Sequence, residues 1–137
     1  MPMKSTIVIY AHECERSKAD AKRIAYLVGA QTTCTRRITD AIINNVENFI
    51  LCVQLWEEKE KTGEWDVAAE TLQRYDLKGK NFAIFVNYEH PADTVRFNGI
   101  DSLNHLFTNQ GARLITLSEE VGYGRLDDWI CALSPSL

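Results

Sequence analysis

Residues Phe49–Val86, FILCVQLWEEKEKTGEWDVAAETLQRYDLKGKNFAIFV, hold the pattern on which the fold turns. Phe49–Gln54 is a continuous apolar run, too short for a helix and bounded by polar residues. It has none of the in/out alternation of a half-wet strand, so it reads as a strand buried on both faces. Glu57–Glu64 is charged and contains Gly63, which predicts an exposed loop. Trp65, Ala68, Ala69 and Leu72 then repeat at helical spacing, Lys78-Gly79-Lys80 turns the chain, and Asn81–Val86 is a second buried run. Strand, helix and strand, with no polar face on either strand, make the building block of a parallel sheet covered on both sides.

The same alternation continues in both directions. Upstream, Ser5–Tyr10 is rich in β-branched residues and reads as a strand. Ala21, Ile24, Ala25 and Val28 mark one apolar helix face, with Ser17 as the expected cap and Gly29 as the stop. Cys34–Ile38 is a weak further strand. Downstream, Ile100, Leu103, Leu106 and Phe107 predict a helix ended by Gly111. Arg113–Leu117 predicts the last strand, and Leu126, Trp129, Ile130 and Leu133 a closing helix stopped by Pro135. Right-handed crossovers leave few arrangements of such a chain. The expectation is a three-layer α/β sandwich on a five-stranded parallel sheet of order 2-1-3-4-5. Ligands are expected at the carboxyl ends of strands 1 and 3, where the strand order reverses. The loops that matter are therefore Ala11–Ser17, Leu55–Glu64 and Asn87–Phe97.

With 137 residues and no internal repeat or linker, residues 1–137 are expected to form one domain. No apolar run approaches the length of a membrane span, and Glu13 and Glu15 follow the first strand too closely for a signal peptide. A cytoplasmic location is expected, without a membrane. Cys14, Cys34, Cys52 and Cys131 are scattered, which suits reduced thiols better than disulfides or structural zinc. Net charge is −4, unevenly placed: seven Lys/Arg and three Asp/Glu up to Arg37, then eight against sixteen. The acidic remainder argues against a nucleic-acid partner and would suit docking to a basic protein, or simply keep the surface solvated.

From Phe49 to Ile115 the sequence resembles the flavodoxins. In order stand a hydrophobic strand, a Trp-bearing loop, a Trp-led helix, Asp76-Leu77-Lys78-Gly79-Lys80, a strand ending in Phe85-Val86, Phe97 opening a helix, and Gly111-Ala112. The resemblance implies a flavodoxin-like fold, FMN as cofactor, electron transfer as activity and a redox protein as partner. In that family a loop of the form S/T-x-T-G-x-T surrounds the FMN phosphate, because hydroxyls and N–H groups at a helix start hold a dianion. The matching stretch here is His12-Glu13-Cys14-Glu15-Arg16-Ser17, in which only Ser17 fits and Glu15 replaces the glycine. Two carboxylates within a few ångströms of a phosphate oppose it by ~1–4 kcal/mol each at intermediate dielectric, so FMN binding is expected to be weak or lost.

By the same resemblance, His12, Arg16 and Ser17 are the residues expected at the phosphate, and Trp56 and Tyr88 at the flavin ring. Trp56 follows Gln54-Leu55 without the Pro-Thr that the family often has, and it stacks on a planar ligand or covers the sheet end. The alternative function is a non-flavin ligand-binding or protein-docking module on the same scaffold. Other chemistries are poorly supported. The strand ends near Gln54 and Ser118 lack the Asp and Lys of a phosphoreceiver. His12, Cys14 and Glu15 with Glu89 and His90 do not have a recognised metal spacing. Glu13 and Glu15 counter the activation of Cys14 that Arg16 and a helix start would give. No metal and no catalytic residue is assigned.

Overall fold

A computed structural model of the chain describes residues 5–11, 15–55, 63–88 and 98–121; for 15–17, 54–55, 63–67, 86–88, 98–103 and 116–121 it describes the backbone path. The elements run β1 (Thr6–Tyr10), α1 (Glu15–Val28), β2 (Gln31–Cys34), α2 (Asp40–Asn45), β3 (Asn48–Leu55), α3 (Gly63–Leu72), β4 (Asn81–Tyr88), α4 (Asn98–Asn109) and β5 (Arg113–Val121). The strands form one five-stranded sheet in the order β2-β1-β3-β4-β5, with every neighbouring pair parallel. This is the expected architecture.

The absence of polar alternation in the strands has a direct structural cause: both faces are covered. Ile7, Ile9, Phe49, Leu51, Val53, Phe82 and Ile84 point to one face, where they pack with Ile43 of α2, Ala68 and Leu72 of α3 and Phe107 of α4. Val8, Ile50, Cys52, Ala83 and Phe85 point to the other, against Ala21, Ile24 and Ala25 of α1. Successive strand residues thus serve alternate layers, the period-2 geometry of a strand with no wet side. Phe107 ties α4 to the sheet, its ring stacked on Phe82 at 4.7 Å and edge-on to Phe49 at 6.1 Å between centroids.

Glycines end two of the helices. Gly29 takes φ +71°, and the Ala30 N–H closes back on the Ala25 carbonyl at 2.9 Å. Gly111 takes φ +102°, with Ala112 N–H on the Phe107 carbonyl at 2.9 Å. Both are six-to-one closures that only a positive φ allows at that step.

Five local expectations are corrected. The second strand is Gln31–Cys34, not Cys34–Ile38. Beyond Cys34 the Thr35 N–H still reaches the Tyr10 carbonyl, but Arg37 N–H folds back on the Cys34 carbonyl and the Thr33 hydroxyl donates to the Arg37 carbonyl, so a turn replaces the strand. Ser17 does not cap α1, because the helix already begins at Glu15 and Ser17 lies inside its first turn. Gly63 and Glu64 belong to α3 and not to a loop, and Asn87 and Tyr88 extend β4. Helix α2 was not expected: it is six residues long, capped by the Thr39 hydroxyl on the Ile42 N–H at 3.3 Å, with Asp40 in its first turn. The remainder of the expected loop at residues 57–62, Phe97 and the closing helix at Leu126–Leu133 lie outside the described residues.

Candidate functional site

The parallel sheet sends the carboxyl ends of all strands to one edge, and the register makes that edge uneven. Tyr10, the last residue of β1, pairs with Cys34 of β2 and Cys52 of β3. Strand β3 then continues through Val53, Gln54 and Leu55, roughly 10 Å of additional strand. Strands β4 and β5 keep pace with it, Gln54 level with Asn87 and Glu120, and Leu55 level with Tyr88 and Val121. A step therefore rises between β1 and β3, over the end of β1, at the point where the strand order reverses. A ligand crevice in an open parallel sheet is expected at such a place.

Helix α1 starts beside this step, four residues after Ala11, which is buried. Its free N–H groups and the positive end of its dipole favour an anion there. The sequence supplies one from within, since Glu15 is the first helical residue. A carboxylate in the first turn of a helix stabilises its start by about 0.3–1 kcal/mol. Arg16 and Ser17 follow Glu15 in the first turn of the helix.

The expected site residues divide as follows. Arg16 and Ser17 are placed in the first turn of α1, and Tyr88 is the last residue of β4, in the outermost row of the sheet edge. These three therefore belong to elements that end or begin at the same edge. His12 and Trp56 lie outside the described residues, as do Cys14, Glu89 and His90. Beneath the step, Cys52 is 1% exposed, and burial, with a further contribution from the Asp20 carboxylate, pushes its thiol well above the usual range. Cys34 and Cys52 are both buried and carry no disulfide. The step itself was not read from sequence, since it depends on how far β3 outruns β1. The unbroken run to Leu55 against the stop at Tyr10 was the available signal.

Order 2-1-3-4-5 in an all-parallel sheet with helices on both faces defines the flavodoxin-like fold. No protein-family model and no curated protein matches the sequence. Solved structures do resemble it. A Fusobacterium nucleatum flavodoxin bound to flavin mononucleotide superposes with a TM-score of 0.76 at 17% identity, over 98% of this chain and 99% of that one. Oxidised flavodoxin 2 from Bacillus cereus gives 0.77 at 16% identity, over 97% and 99%. A flavodoxin of Streptococcus pneumonia TIGR4 gives 0.76 at 13%, over 96% and 99%. No helix among the described residues is long and apolar enough to cross a membrane.

Proposed function

We propose that this chain is a cytoplasmic protein related to the FMN-binding electron carriers, and that it holds flavin weakly, by the ring more than by the phosphate. The observation that carries the reading is the step at the β1/β3 reversal with α1 starting beside it. Its likeness in fold to a flavodoxin solved with flavin mononucleotide supports the choice of ligand. Bound flavin would supply one- or two-electron transfer to a redox protein partner. Trp56 and Tyr88 would flank the ring. His12, Arg16, Ser17 and the first N–H groups of α1 would face the phosphate, and Glu13 and Glu15 would oppose it. The acidic surface beyond Arg37 suits a basic partner and disfavours nucleic acid.

Titration of the purified protein with FMN, followed by quenching of flavin and tryptophan fluorescence, tests this reading. Saturable binding that Trp56→Ala abolishes is the expected result. The placement of Glu15 at the helix start also favours a second reading, a docking or non-flavin ligand module on the same scaffold. Saturation by neither FMN nor riboflavin would select it.

A further inference from the structure

We draw no further inference here: the strongest candidate, the exposed apolar pair Tyr26 and Leu27 near the end of α1, carries nothing because nothing in the structure shows what covers it.

Discussion

Gly111 and Gly29 both turn the chain out of a helix, yet substitution should separate them. A Cβ at Gly29 would meet nothing within 4 Å, so Gly29→Ala carries only the strain of φ +71°, about 1 kcal/mol. At Gly111 the φ is +102° and a Cβ would lie 3.0 Å from the Lys78 Cα, backbone that has no flexible end to swing away. Gly111→Ala is therefore expected to lose about 2–4 kcal/mol, read as a lower urea midpoint at unchanged slope. Both stops were legible in sequence because each glycine follows an apolar helical stripe. The close approach at Gly111 was not, since it depends on where the turn at Lys78-Gly79-Lys80 packs.

Cys52 makes a pH prediction at the same scale. Its thiol is raised in the folded state above its ordinary value of 9.0, so above that pH the native chain keeps a proton that the unfolded chain releases. The contribution is fully present below pH 9.0 and declines as pH rises past it. Tyr75 acts with the same sign, because its hydroxyl bond to Asp40 holds the phenol above 10.0. Cys52→Val, which removes the buried titration, should lose less stability than wild type between neutral and strongly alkaline pH in chemical unfolding. Native Cys52 should also resist iodoacetamide until the chain unfolds.

Among the elements, the strands were the most legible. Runs such as Phe49–Val53 are buried on both faces and leave no ambiguity of side. Boundaries failed where polar residues continue a strand, as at Asn87 and Tyr88, or where a side-chain bond converts a β-like stretch into a turn, as at Thr33. Helix α2 was missed because six residues are too few to show a period, although Thr39-Asp40 is a start signal. The opposite edge of the sheet carries a buried polar ladder that the sequence does not announce. Asn81 Nδ2 donates to Asn48 Oδ1 at 3.1 Å, and Asn48 Nδ2 donates to Thr6 Oγ1 at 3.3 Å, across three strands in register. Asn48 is fully buried, so Asn48→Ala strands the Asn81 amide and leaves a void. A loss of about 2–3 kcal/mol in chemical unfolding is expected, against less than half that for an exposed Asn45→Ala.

For the whole molecule, topology was legible and the site only in outline. Alternation of buried strands with amphipathic helices admits few sheets, and the order 2-1-3-4-5 then points to one crevice. Which side chains face that crevice is a matter of loop conformation, which periodicity does not encode. The chemistry of the helix start is nevertheless written in the residues. Glu15 occupies the first position of α1, where the dipole favours an anion. Replacing both Glu13 and Glu15 with Gln should thus tighten FMN by about tenfold or more, since relief of about 1.4 kcal/mol suffices, and leave riboflavin unchanged. The gain should shrink at high salt.

The central claim, a ring site without a working phosphate site, is tested most directly by titrating the wild-type protein with FMN and riboflavin side by side in one buffer. Dissociation constants within about threefold of each other, both in the micromolar range or weaker, are the predicted result. FMN bound a hundredfold or more tighter than riboflavin, a difference of about 2.7 kcal/mol that only a held phosphate supplies, would contradict it.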